Sequence, residues 1–254
     1  MILTRPSFDT VARFNELPSL WEAIEARKKQ VTEETFKTLG QLFVDYHIEN
    51  IFGLALLHNH FLLEEGEILL GTGSLSDEQQ KVISQPIKSD KLTSPVQGSN
   101  WRITPDNLYV PYEFRLEDDH KVNSYLLSYF DFNLILTFHS NSSLHPLYLK
   151  KIDFSSSEIQ SFLEEFSRKL NELDLANVFA ICAIDTDSFL PGIEKTEERK
   201  NITVPLTDSD KPDDQFEAVW NFKHGPKKPI ERGCSNYCQP FENGKHGKFH
   251  RRTK

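Results

Sequence analysis

Apolar residues recur three and four positions apart in the first quarter of the chain, a spacing that predicts amphipathic helices. The stretch SLWEAIEARKK opens with Ser19 and Glu22, whose side chains can each bond the other's free backbone N–H in a capping box. A second helical pattern begins at Thr32 and is expected to end near Asn50. Its residues at helical spacing are Phe36, Leu39, Gly40, Phe43, Tyr46 and His47. The 18 residues before the first helix are predicted to be an arm packed on the surface.

The clearest helical pattern follows the stretch KIDFSSSE. Ser155 and Glu158 form a second capping box at its start. The apolar stripe behind this box consists of Ile159, Phe162, Leu163, Phe166, Leu170 and Leu173. A continuous stripe of this kind predicts a helix that buries one face against the core.

Shorter apolar runs predict strands. IFGLALLHNHF is short, apolar and contains a glycine, which favours a buried strand, and LLEEGEILL reads as the return of a hairpin through an acidic turn. Further strands are predicted in WRIT, LYVPYEFRL, DFNLILTF and NVFAICAID, whereas FEAVWNF fits a strand or a short helix. Residues 71–100 are rich in Gly, Ser, Pro and Asp and are predicted to be a long connection.

The order of these elements predicts the fold class. Strands and helices are mixed without a regular β-α-β alternation, which favours an α+β fold with a mixed or antiparallel sheet and a few packed helices. We expect one such domain over residues 1–222, followed by a basic tail rich in Cys and His over residues 223–254.

Composition narrows the class of protein. Hydrophobic residues make up 38% of the 254 residues, with 19 Phe and 1 Met, which indicates a globular protein with an aromatic core. No apolar run reaches the length of a membrane span, and the start of the chain lacks the apolar core of a secretory signal. Three cysteines do not make a disulfide framework. We therefore expect a soluble protein of the cytoplasm or nucleus.

The charge is distributed unevenly. Residues 223–254 contain nine Lys and Arg but only two Glu, which gives them a net charge of +7. The rest of the chain therefore has a net charge of −16. Such a tail either binds a polyanion, nucleic acid included, or folds back on the acidic body of its own chain. Aromatic residues interleaved with the basic ones, such as Tyr237 and Phe249, would suit stacking on bases.

Two histidines lie one residue apart in the stretch LLHNHFLLEEGEILL. If residues 54–61 are extended, His58 and His60 share one face of a strand and can bind one metal ion. The remaining ligands would come from Glu64, Glu65 and Glu67 in the adjoining turn, or from Cys and His of the tail. Alternatively, one imidazole bonds a carbonyl in the core and the other faces solvent.

The tail contains a second set of metal-ligating residues. Its ligand pattern is Cys234-x3-Cys238-x7-His246-x3-His250. Two thiolates and two imidazoles are the commonest ligand set of structural zinc, and both pair spacings suit it. The gap between the pairs is too short for a ββα zinc finger, so a tight zinc loop is the hypothesis. The alternative is a disordered basic tail in which these residues fall by chance.

Other chemistry has little support. The sequence has no G-x-S-x-G nucleophile motif and no phosphate-binding loop. Cys182 lies in a predicted core strand, where a thiol usually behaves as an inert apolar group.

The stretch FGLALLHNHFLLEEGEILL, together with the Cys- and His-rich basic end, resembles a set of uncharacterised proteins of filamentous fungi. These proteins carry an LLH-x-HF segment, an acidic turn and a C-terminal Cys-x3-Cys followed by histidines. The resemblance covers residues 40–70 and 230–250. It implies no activity, cofactor or fold, and suggests only that the two His-bearing segments belong together.

The function predicted from these features is zinc binding by an intracellular protein that acts as a binding or regulatory protein. One alternative is a metal-dependent, hydrolase-like enzyme that uses His58 and His60 as ligands and a nearby Glu as general base. Another is a nucleic-acid-associated protein that binds through its tail.

Overall fold

The computed structural model describes residues 8–76, 79–92, 94–117, 148–149, 152–184, 192–207, 215–224 and 230–239. The helices of these ranges are α1 (Phe8–Asn15), α2 (Leu20–Gln30), α3 (Glu33–Asp45) and α4 (Ser157–Glu172). The strands are β1 (Phe52–Leu56), β2 (Glu67–Ser76), β3 (Gln79–Lys88), β4 (Val96–Ile103), β5 (Tyr109–Glu117), β6 (Tyr148–Leu149), β7 (Phe179–Ala183), β8 (Gly192–Glu197), β9 (Lys200–Pro205), β10 (Phe216–His224) and β11 (Ile230–Gln239).

Ten strands close into a barrel. Their order is β1-β7-β4-β5-β2-β3-β9-β8-β11-β10, with β10 pairing back onto β1 and the short β6 lying outside against β5. Most pairs are antiparallel, whereas β2–β5 and β8–β11 are parallel. The α+β prediction is therefore wrong, because the described chain is predominantly β, with its helices packed on a closed sheet.

The error lies mainly in residues 71–100, which were predicted to be a connection. They contribute most of β2 and β3, which pair from Glu67 opposite Lys88 to Ser76 opposite Gln79, and the first part of β4. Glycine and polar residues are poor strand formers on their own. In a closed barrel each strand is hydrogen-bonded on both sides, so the ladder stabilises a strand that its own residues do not favour.

Helices α2, α3 and α4 cover one side of the barrel. Their buried residues form one core with the outward-facing side chains of β1, β7 and β10, among them Phe52, Phe179 and Trp220. Alternate residues of the same strands, such as Ala55 and Cys182, face the interior. These strands are buried on both faces, which explains their unbroken apolar sequence. No described helix is long and apolar enough to span a membrane.

The local signals are confirmed for α2 and α3, whereas the capping box predicted for α4 is wrong. Ser19 and Glu22 form the predicted capping box at the start of α2, and the Thr32 side chain caps α3. Helix α3 ends at Asp45, about one turn before the predicted end. At α4 the N-cap is Ser156 rather than Ser155, since the Ser156 hydroxyl accepts the hydrogen bond from the backbone N–H of Ile159.

Helix α1 lies where a surface arm was predicted, and it holds one end of the barrel in place. The Asn59 side chain donates hydrogen bonds to the carbonyls of Phe14 and Leu17, at 3.2 and 3.1 Å. The Asn15 amide makes a reciprocal pair with the backbone of Leu63, at 2.9 and 2.8 Å. These bonds fix the segment 57–63 that follows β1 against α1.

The predicted boundary between residues 222 and 223 falls inside β10. This strand continues to His224 and pairs antiparallel with β11, whose far end pairs in parallel with β8. Residues 230–239 of the predicted tail are thus part of the barrel wall, and residues 240–254 lie outside the described ranges.

Gly40 on α3 is a point of close packing between a helix and the barrel. A Cβ at this position would lie 2.4 Å from Cδ1 of Phe222. We expect Gly40→Ala to lower the free energy of unfolding by about 1–3 kcal/mol through overpacking. Helix propensity alone predicts the opposite, namely that Gly40→Ala raises the free energy of unfolding by up to about 1 kcal/mol. Urea unfolding of Gly40→Ala, with Gln41→Ala at the exposed neighbour as control, decides between the two.

Candidate metal centre

His58 and His60 follow directly after β1. The prediction of an extended segment over residues 54–61 holds only to Leu56, where β1 ends. The two imidazoles lie in the irregular segment that Asn59 fastens to α1. Both line a cavity inside the barrel, and His60 is 6% exposed.

Two further ligating side chains come from the facing wall. Glu194 on β8 and Cys238 on β11 are register partners in the parallel pair of these strands. Both line the same cavity as the histidines, and Cys238 is 1% exposed. The barrel therefore brings together residues that are up to 180 positions apart in the sequence.

The four side chains converge on one point. Nε2 of His58 lies 3.0 Å from Nε2 of His60, and Oε1 of Glu194 lies 2.6 Å from His60 Nε2. Sγ of Cys238 lies 3.4 Å from His58 Nε2, 4.0 Å from His60 Nε2 and 3.5 Å from Glu194 Oε1. All four atoms lie within 4.8 Å of one another, so the cluster can hold a metal ion.

These separations suit a tetrahedral ion. Zinc binds sulfur at about 2.3 Å and nitrogen or oxygen at about 2.0–2.2 Å, which places tetrahedral ligands about 3.3–3.7 Å apart. The observed separations, from 2.6 to 4.0 Å for the pairs that touch, lie on both sides of this range. Binding of an ion would require His60 Nε2 and Glu194 Oε1 to move apart from 2.6 Å, and His60 Nε2 and Cys238 Sγ to come closer than 4.0 Å.

The backbone orients the first histidine for metal binding. Nδ1 of His58 lies 2.7 Å from the carbonyl oxygen of Leu56, so Nδ1–H donates to it. This bond selects the tautomer in which Nε2 carries no hydrogen and can accept a metal ion, and Nε2 is the atom that faces the cluster.

The same surroundings favour neutral histidine. Burial and, to a smaller extent, the neighbouring His60 lower the pKa of His58 to about 4, against the opposing effect of Glu194. Burial also raises the pKa of Glu194, although His58 and a hydrogen bond from Cys238 oppose this. Neutral imidazole is the form that binds a metal ion.

The other predicted ligands lie elsewhere. Cys234 is four residues before Cys238 on the same strand, which separates their Cα atoms by about 13 Å in an extended chain. Glu67 bonds Arg199, and Glu64 and Glu65 are exposed. His246, His250 and the basic residues after 239 lie outside the described ranges, so their metal and polyanion binding stays a prediction.

Glu194 is the cluster residue that sequence analysis missed. It lies in the polar segment GIEKTE, which forms β8. No motif surrounds it, and its sequence separation from Cys238 is 44 residues. Only the parallel pairing of β8 with β11 places its carboxylate beside the thiol.

Cys182 lines the cavity but stands apart from the cluster. Burial raises the pKa of its thiol to about 12. The thiolate is the reactive form, so at pH 8 only about one thiol in ten thousand is reactive. We expect Cys182 to resist iodoacetamide in the native protein and to react after unfolding in urea, as followed by peptide mass spectrometry. Alkylation of native Cys182 within minutes would contradict the burial of this thiol.

No family model, curated protein or solved structure matches this chain. The resemblance to fungal proteins therefore stays a prediction, and the cavity with its side chains is the evidence that bears on function.

Proposed function

We propose that this protein binds a zinc ion inside its barrel through His58, His60, Glu194 and Cys238. The observation that carries the proposal is the convergence of these four ligand atoms within 4.8 Å. Clusters of exposed acidic residues often occur without a metal ion. In this cluster, by contrast, His60 and Cys238 are almost completely buried.

The ligand chemistry favours zinc. Calcium and magnesium prefer oxygen ligands, of which the cluster offers a single carboxylate. Thiolate and imidazole suit zinc, which accepts a mixed set of sulfur, nitrogen and oxygen in a tetrahedron. Cys182 and Cys238 are not joined in a disulfide, which fits a reducing compartment such as the cytoplasm or nucleus.

Zinc in this position would join three separate parts of the barrel. The segment after β1, strand β8 and strand β11 each contribute at least one ligand. An ion with four protein ligands is closed to substrate, which is the arrangement of a structural site. We therefore propose a binding or regulatory protein whose barrel is stabilised by zinc.

Elemental analysis of two matched variants tests the proposal. The full chain, loaded with zinc and dialysed, is expected to retain one zinc per molecule. His60→Ala removes a ligand and should lose the zinc, whereas His250→Ala in the tail should keep it. Zinc retained in His60→Ala but lost in His250→Ala would place the ion in the tail and contradict the proposal.

A metal-dependent enzyme is the second candidate, and the position of the cluster on the wall of a cavity favours it. In this arrangement His58, His60 and Cys238 bind the ion, water takes the fourth position, and Glu194 acts as general base. Glu194→Gln separates the two functions. A ligand role predicts a loss of zinc affinity of more than about 100-fold, whereas a base that only bonds the ligand His60 predicts a loss of at most about 100-fold. The base role also predicts zinc-dependent hydrolysis of p-nitrophenyl acetate that this variant loses.

A further inference from the structure

Arg199 lies in the turn between β8 and β9, at one end of the hairpin that carries Glu194. Its guanidinium group reaches the start of β2 and the segment 57–63, which carries both histidines. Nη2 donates to the carbonyl oxygen of Leu62 at 3.0 Å and to Oε2 of Glu67 at 2.5 Å. Nη1 lies 3.4 Å from Oε1 of Glu67. A single side chain therefore joins the histidine segment to the hairpin of Glu194.

The Glu67 carboxylate holds this guanidinium group in a fixed direction. Glu67 is 8% exposed, and its Oε2 also accepts the backbone N–H of Glu64 at 2.7 Å. Burial by itself raises the pKa of Glu67, but the hydrogen bonds from Arg199 and from the Glu64 backbone hold this pKa below its usual value. The carboxylate is thus charged at neutral pH. A carboxylate that bonds two nitrogens of one guanidinium group fixes its plane as well as its position.

The contact between His60 and Glu194 is tied to Arg199 on both of its sides. Leu62, whose carbonyl oxygen Arg199 bonds, is two residues after His60. On the other side, the ladder between β8 and β9 is unbroken from Glu194 to the turn that contains Arg199. A shift of the hairpin relative to the histidine segment would therefore change the distance between the two ligands, which is 2.6 Å for His60 Nε2 and Glu194 Oε1.

Other bonds of the histidine segment lead to a different part of the barrel. The Asn59 side chain and the backbone of Leu63 bond α1, the latter through Asn15. Helix α1 carries none of the four cluster residues, so these bonds hold the segment in place without setting its distance from β8. The bond from Arg199 leads directly to the hairpin of Glu194 and can set that distance.

We propose that Arg199 is a positioning residue of the metal centre, which holds the histidine segment and the β8–β9 hairpin at the separation that one ion requires. This inference rests on the proposed zinc site. Arg199 itself binds no metal, because a guanidinium group stays protonated and has no lone pair to offer. Its effect is on geometry, since ligand atoms have to be held within about 0.5 Å of their places for tight binding.

Zinc affinity of the full chain, measured by competition with a chelator, tests this role. Arg199→Ala is expected to lower the affinity by about tenfold, the lower end of the effect of residues that orient metal ligands. Arg27→Ala is the matched control. Arg27 also bonds a carbonyl and a carboxylate, both of Glu217, at 3.4 and 3.2 Å, but it joins α2 to β10, and neither element carries a ligand. Its replacement should leave the zinc affinity unchanged.

Cobalt(II) in place of zinc reports the geometry of the site, because its visible absorption is strong in a tetrahedral site and weak when water expands the coordination. We expect weaker absorption in Arg199→Ala and the parent spectrum in Arg27→Ala. Arg199→Lys keeps the charge but cannot bond both oxygens of Glu67 and the Leu62 carbonyl in the same way. Its affinity and its spectrum should lie between those of the parent and Arg199→Ala, and this variant carries the test if Arg199→Ala does not fold.

The outcomes separate this inference from the zinc proposal. If the parent binds zinc and the Arg199 variants keep both its affinity and its cobalt spectrum, the positioning role is overturned and the zinc site stands. Equal losses of affinity in Arg199→Ala and Arg27→Ala would also overturn it, since they would show a general loss of stability. A parent that binds neither zinc nor cobalt would overturn the zinc site, and the role of Arg199 with it.

Discussion

Removing zinc from the loaded protein is expected to lower the midpoint of thermal unfolding by about 10 °C. A ligand that binds only the folded state stabilises it by about 4 kcal/mol when its free concentration is a thousand times its dissociation constant. For a chain of this size each kcal/mol shifts the midpoint by about 2–4 °C. The shift should be large here because the ion would join three strands or segments that meet only in the folded barrel.

Two cysteines of one strand provide the control for this measurement. Cys238→Ser removes a cluster ligand, so its midpoint should respond little to zinc or to chelator. Cys234→Ser changes the same residue type four positions earlier on β11 and should retain the full shift. Calorimetry of the two variants and the parent, each with zinc and with chelator, makes the comparison. A zinc-dependent shift that survives in Cys238→Ser, or none in the parent, would show that the cluster holds no zinc.

Replacement of Phe162 by alanine is expected to lower the free energy of unfolding by about 3–5 kcal/mol. This ring, on α4, is fully buried between the helices and the barrel. Its centroid lies 5.0 Å from Phe43 of α3, 5.3 Å from Phe166 and 6.1 Å from Phe52 of β1. Truncation leaves a cavity that these rings cannot fill, because each of them is held by other neighbours.

Urea unfolding measures this loss, and Glu164→Ala is its matched control. Glu164 is exposed two residues further along the same helix, so its replacement should change the free energy of unfolding by less than about 0.5 kcal/mol. Zinc content should remain unchanged in both variants, since Phe162 packs on the outside of the barrel and the cluster lies inside. A loss below about 1 kcal/mol in Phe162→Ala would show that the outer aromatic core is less tightly packed than the ring distances indicate.

The helices show how far local sequence signals extend. Ser19 and Glu22 predict the start of α2 because a capping box needs only residues three positions apart. The apolar stripe of α4 predicts its buried face for the same reason. Both signals depend on contacts within one or two helical turns, so they are complete within a short stretch of sequence.

The metal cluster marks the limit of such signals. The sequence singled out His58, His60 and Cys238 by residue type, but it left open whether the cysteine belongs to a separate site in the tail or completes the histidine site. Which of these residues meet depends on the pairing of β11 with β8, and this pairing also brings in Glu194.

The sequence by itself determined where α2 and α3 begin, which faces of α2, α3 and α4 are buried, and which residue types can bind a metal ion. The tertiary structure alone decided that polar, glycine-rich segments form strands, that the sheet closes, and that four distant side chains share one cavity. The physical reason is that a barrel is stabilised by hydrogen bonds between strands far apart in the chain. The residues of a single strand do not encode which partner it will find or which side chains that partner will bring.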